Sequence, residues 1–196
     1  MGLNKNNQDG IDITRENYIM INFLKEFEEK FKQEFYNDIK NLLEKISNEK
    51  VYACAFGTDS DFSTLFLAIN TEESLKKHIT DMENEGLCNS QEDKIYYRWC
   101  LSEFKYGNSH FNHIYKLLNS TENVSDYKDK IVEIIAKTVI GTDSEIFKQY
   151  GQSKEDITFF VSMTDDDMAE ELENQSVIKM TPKDLAKDFL MRYGRR

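Results

Sequence analysis

The chain has 196 residues and a formal charge of −11; 39% of it is hydrophobic, including 13 Phe and 10 Tyr. So much apolar side chain excludes a disordered protein and points to one domain with a sizeable core. The negative balance repels phosphate, which argues against nucleic acid and favours a basic protein partner, and no apolar run approaches the roughly 20 residues that span a bilayer, so no membrane partner is expected.

Met1 to Thr14 reads as a flexible polar tail. MGLNKNNQDG lacks the apolar stretch of a signal peptide, and Asn6 stands where a myristoylation signal places Ser or Thr. Cys54, Cys88 and Cys100 show no CxxC spacing, so reduced thiols and a cytoplasmic location are expected. From Tyr18 to Ser47 the pattern is one long helix, with Ile19, Phe23, Phe27, Phe31, Phe35, Ile39 and Leu43 recurring every fourth residue. A spacing of four drifts around a helix of 3.6 residues per turn, so the helix must wrap over its neighbour or break.

VYACAF (Val51 to Phe56) and FSTLFLAI (Phe62 to Ile69), joined by Gly57-Thr58-Asp59-Ser60-Asp61, predict a hairpin. Odd and even positions of the first run are both apolar, which places this pair centrally, covered on both faces. Asn70-Thr71-Glu72-Glu73 opens a helix that ends at Gly86. Ile95 to Leu101 (IYYRWCL) reads as a third strand, with Ile95, Tyr97, Trp99 and Leu101 on one face and Arg98 on the other. A short turn from Ser102 to Tyr106, a helix from Ser109 to Leu118 and a long helical region from Tyr127 to Tyr150, split at Gly141, follow. Ile157 to Met163 is a fourth strand, Asp165 to Glu173 an acidic helix or loop, and Thr181-Pro182 the cap and first residue of a terminal helix. The expected architecture is one α+β domain over residues 15–196, a mostly antiparallel sheet of four strands covered by helices.

The stretches VYACAFGTDSDFSTLFLAINTEESL and IYYRWCLSEFKY resemble the bacterial family called domain of unknown function 4303, over about residues 18–192. That family's pattern has an apolar strand, a TDxDxxTL-like loop and an NTEESL-like helix start. Further on it has a YRW stretch and a Glu preceded by proline and followed by tryptophan; here Ser102 and Phe104 stand in those places. The resemblance implies a fold and no catalytic residues, and families of this kind include immunity proteins of bacterial toxin systems.

Asp59 and Asp61 offer two carboxylates from one loop, but the EF-hand spacing is missing, so a hairpin turn is the reading. His110 and His113 sit three apart on a predicted helix, and two ligands do not make a zinc site. No HExxH, Walker-type loop or GxSxG occurs, so no metal, cofactor or catalytic residue is assigned. Arg98, Trp99 and Glu103 form the most distinctive group. Arg98 is read as an ion-pair partner of Glu103 or Glu72, with an anion-accepting pocket of an enzyme or ligand-binding domain as the alternative. Between Gly151 and Gln175, eight acids (Glu155, Asp156, Asp165, Asp166, Asp167, Glu170, Glu171 and Glu173) face only Lys154. This run, with Phe160 or Met168 for apolar contact, is the candidate surface of a non-catalytic binding module, immunity-type or regulatory, for a basic protein; a merely solvated acidic face is the plainer alternative.

Overall fold

A computed structural model describes residues 8–46, 48–107, 110–164 and 169–192, with side chains from Asn17 onward. The helix α1 (Gln8–Lys45) is followed by β1 (Val51–Thr58), β2 (Phe66–Thr71), α2 (Glu72–Asn84) and α3 (Gln91–Trp99). Then come β3 (Tyr106–Gly107), α4 (Asn112–Asn119), α5 (Lys128–Gly141), α6 (Glu145–Lys148), β4 (Thr158–Met163), α7 (Ala169–Met180) and α8 (Lys183–Leu190). Of the tail expected over Met1 to Thr14, Met1 to Asn7 lie outside the described residues, and the α1 backbone is helical from Gln8. Among the described residues, no helix is long and apolar enough to cross a membrane.

The sheet has four strands and is mixed: two of its three pairings are antiparallel, as expected of most of the sheet, and the third is parallel. Its order is β3-β2-β1-β4; β1 pairs antiparallel with β2 but parallel with β4. The reason is the path: the chain reaches β4 only after the long connection from β2 through α2, α3, β3 and α4 to α6, and a connection of that length allows a parallel neighbour where a tight hairpin does not. A bulge between Val51 and Ala53 alters the facing of β1. Val51, Cys54 and Phe56 point into the larger core, whereas Tyr52, Ala53 and Ala55 point into the smaller one, so the simple odd–even division fails at its first step. β2 begins only at Phe66, not Phe62; Phe62 sits in the left-handed region (φ 56) inside the connecting loop. Gly57 faces Phe66 across the pair, and a Cβ there would lie 2.0 Å from the ring's Cζ, so glycine lets the aromatic lie flat on the strand.

The larger core lies between the sheet and α1, α4 and α5. Phe27, Phe31 and Phe35 stack in succession (5.7 and 5.8 Å between centroids), and Phe31 and Phe35 meet Phe56 of β1. The stripe drifts as its spacing requires: Phe23 through Leu43 are buried, while Ile19, its first member, is 49% exposed. The smaller core lies on the other face, where Trp99, Phe160 and Phe189 pack with Leu75, Val177 and Ala186.

The segment Ile95 to Leu101 is not a strand. It is the helix α3 followed by a short 3-10 turn, started by a capping box in which Ser90 and Asp93 bond each other's backbone N–H. Three β-favouring residues in a row lose to that cap and to the i, i+4 pair Ile95 and Trp99, which helix spacing brings onto the smaller core. The strand that does pair there is Tyr106–Gly107. Other boundaries hold. Thr71 caps α2 by accepting from Ser74 N–H. Gly86 (φ 74) ends it, with Leu87 N–H on Met82 O and Gly86 N–H on Glu83 O, the paired bonds of a Schellman ending. α5 stops at Gly141.

α7 runs antiparallel to β4 along its outer edge. Ser176 Oγ accepts from Val161 N–H (2.9 Å), and its one proton lies within reach of Glu173 O (3.1 Å) and Val161 O (3.3 Å). Thr181 Oγ1 accepts from Phe159 N–H and donates to Phe159 O, both at 2.7 Å. Thr181 therefore serves the sheet and does not cap α8, where Pro182 holds the cap position.

Candidate functional site

Arg98 lies in the last turn of α3, and Glu72 is the first residue of α2. Arg98 Nη1 and Nη2 donate to Glu72 Oε2 (3.0 Å) and Oε1 (2.7 Å), a two-pronged pair in which both fork positions are used. The guanidinium carbon also lies 4.1 Å from the Tyr52 ring centroid. Tyr52 OH donates to Arg98 O (2.6 Å) and accepts from Asn70 Nδ2 (3.1 Å), so β1, β2, α2 and α3 meet in one network. The hydrogen bond from Arg98 lowers the Glu72 pKa against a smaller opposing effect of burial. Burial disfavours the Arg98 charge, yet the Glu72 carboxylate outweighs it and the Arg98 pKa is raised. Burial pushes the Tyr52 phenol up as well.

Trp99 is 9% exposed and packs edge-on against Tyr52, Phe160 and Phe189. Phe104 lies against Tyr52 and Phe160, so it fills core space. Glu103 does not join Arg98. Its Oε2 stands 3.0 Å from His78 Nε2, and its Oε1 accepts from Ser102 Oγ. The charged ends of Arg98 and Glu103 are thus committed to separate partners. The ion-pair reading of Arg98 stands, with Glu72 rather than Glu103 as its partner.

The acidic run is not one surface. Asp165, Asp166, Asp167 and Met168 lie outside the described residues. Glu170 and Glu171 are exposed in the first turn of α7, beside the helix's positive end, and Glu171 Oε1 accepts from Gln175. Glu155 and Asp156 lie before the opposite end of β4. Glu173 is only 8% exposed: Arg192 Nη2 donates to it at 2.7 Å and Ser162 Oγ at 2.6 Å. Phe160 is fully buried and offers no surface contact, which corrects that expectation.

Asp59 accepts from Ser63 N–H, Ser63 Oγ and Thr64 Oγ1, so it builds its own loop. Burial works to raise its pKa, but these bonds outweigh it and lower the value. His113 and Ile114 N–H both donate to Glu34 of α1, a cap for α4 supplied from another helix. Among the described residues, no group of three or more His, Cys, Asp or Glu is placed to hold a metal ion.

Two polar centres escape sequence reasoning. Glu49 accepts from Thr71 Oγ1, Tyr106 OH and Lys105 Nζ; burial opposes its charge, but the hydrogen bonds prevail and its pKa is lowered. Gln152 is buried, accepting from Val51 N–H and donating to Glu49 O. Both line a cleft of about 410 Å³ with Lys50, Glu73, Ser153 and Asp156. Their partners lie up to 103 positions away, and no local spacing marks them.

No curated protein and no solved structure matches the chain. A family model described as Domain of unknown function (DUF4303) matches residues 31–181, most of the chain, and the protein belongs to that family.

Proposed function

We propose that this is a non-catalytic binding module of the bacterial cytoplasm, immunity-type or regulatory, that holds a basic protein through the exposed start of α7. One observation carries the reading. Glu170 and Glu171 present their carboxylates to solvent with no cationic partner among the described residues, while Glu173 in the same helix is sealed against Arg192. Ile178 is exposed two turns after Glu171, on the same face, and supplies an apolar contact that Phe160 does not. Asp165 to Asp167 precede this turn in the chain and add to its charge. Arg98 supports the module over an anion-accepting pocket, because its guanidinium is already engaged by Glu72 and Tyr52.

The test is immobilised protein against native lysate at low and high salt, wild type beside Glu170→Lys/Glu171→Lys. Partners held by this turn are lost in the variant and released by salt, while thermal unfolding is unchanged. Identical retention by both proteins at the same salt overturns the reading.

A further inference from the structure

Away from α7, a groove of about 620 Å³ opens between the early turns of α1 and the loop leading into α5. Its lining includes the apolar side chains of Ile19, Met20, Phe23 and Tyr127 together with Glu122 and Asp126. Phe23 and Tyr127 pack together at 5.6 Å; Phe23 is almost fully buried, and Tyr127 is half-buried. Ile19 is the member of the α1 stripe that drifts out of the core, and Tyr18 and Ile21 beside it are exposed too. Of these three, Ile19 lines the groove, and Ile21 lies about 200° around the helix from it. Glu122 and Asp126 are exposed and have no cationic partner among the described residues. Lys130 Nζ donates to Met20 Sδ at 3.1 Å, a weak contact to one residue of the lining, while Glu122 and Asp126 bring two carboxylates to the groove.

We propose that this groove binds a peptide segment carrying a large apolar side chain next to a lysine or arginine. The apolar side chain sits among Ile19, Met20, Phe23 and Tyr127, and the cation faces Glu122 and Asp126. The surface is separate from the start of α7 and does not depend on the reading given to it.

The probe is a short fluorescein-labelled peptide of leucine and lysine, followed by anisotropy at low salt. The wild type binds it more tightly than a lysine–serine or a leucine–glutamate peptide. Ile19→Ser, and separately Glu122→Lys/Asp126→Lys, weaken it roughly three- to tenfold with unchanged thermal midpoints. Glu170→Lys/Glu171→Lys leaves the affinity within about twofold, which separates this groove from α7. Equal affinity for the lysine–serine or the leucine–glutamate peptide overturns the proposal, and so does binding that only the α7 variant reduces. Concentration-dependent self-association that Ile19→Ser abolishes also overturns it, by making a second copy of the chain the occupant.

Discussion

Two arginine–glutamate pairs border the smaller core, and their closest N···O distances are the same, 2.7 Å. They differ in the water around them. The side chains of Arg98 and Glu72 are 32% and 40% exposed, against 1% and 11% for Arg192 and Glu173. Distance alone therefore says little about what each pair does for the fold. In the first, solvent screens the attraction but hydrates either charge when its partner is removed. In the second, each charge depends on its partner and on Ser162, Asn174 and Phe189 O, because water is excluded. Phe189 connects the two settings: its ring takes the Arg192 guanidinium at 3.9 Å and the Trp99 ring at 4.9 Å.

The sharpest way to break the comparison is to delete one member of the buried pair. Arg192→Leu leaves the buried Glu173 carboxyl without its cation, and should cost about 3–5 kcal/mol in urea unfolding. A loss similar to that of the exposed pair would show that water reaches Glu173. Trp99→Ala, on the wall that Phe189 shares with both pairs, should also cost about 3–5 kcal/mol as a large buried aromatic truncation. An unmoved denaturant midpoint would contradict its burial.

Ser176→Ala removes the acceptor of Val161 N–H together with a hydroxyl proton within reach of Val161 O and Glu173 O, and an expected loss of about 1–3 kcal/mol follows. Hydrogen exchange at Val161 should accelerate in the same variant. Glu72→Gln should cost only about 0.5–1 kcal/mol, since the Glu72 side chain is more than a third open to solvent.

Acid sharpens the contrast further, because the two glutamates respond with opposite signs. The Glu72 pKa is lowered below the free value of 4.5. Its stabilisation is present above pH 4.5 and is lost as pH falls through the folded value. The Glu173 pKa is raised above 4.5, since burial outweighs Ser162 and Arg192. Its charged form is disfavoured at high pH, and stability is recovered as pH falls through the folded value towards 4.5. Urea midpoints for wild type, Glu72→Gln and Glu173→Gln across this range should show wild type losing ground to the first below 4.5 and gaining on the second just above it. Parallel curves would refute the assignment.

What the sequence discloses follows how locally each feature is encoded. The α1 stripe, the Gly86 ending and the break at Gly141 are legible because each is written in neighbouring residues. Glu72 is legible only as one of two candidate partners of Arg98, since the pair stands 26 positions apart. The helix at Trp99 is encoded too, in Ser90 and Asp93, but its aromatic run carries a competing strand signal, and burial of Trp99 is common to both readings. The parallel pairing of β4 depends on the route of the whole chain. Glu173 looks like one more acid in a charged run because its counterion sits 19 positions later, near the end of the chain. Glu155 and Glu170 look like parts of one patch because a charge count ignores the strand between them, and β4 carries the chain from one end of the sheet to the other.

The hydroxyls of Ser176 and Thr181 have a consequence for behaviour at high concentration. A sheet edge with free N–H and C=O groups recruits strands from other molecules, and TFFVSM is an apolar, uncharged run suited to such pairing. Two side chains here end the sheet without adding a strand to it. Aggregation of this protein should therefore begin when α7 lifts from β4, well before the α1 core opens, so that additives or sequence changes securing α7 protect it from fibrous association more than an equal gain in global stability does.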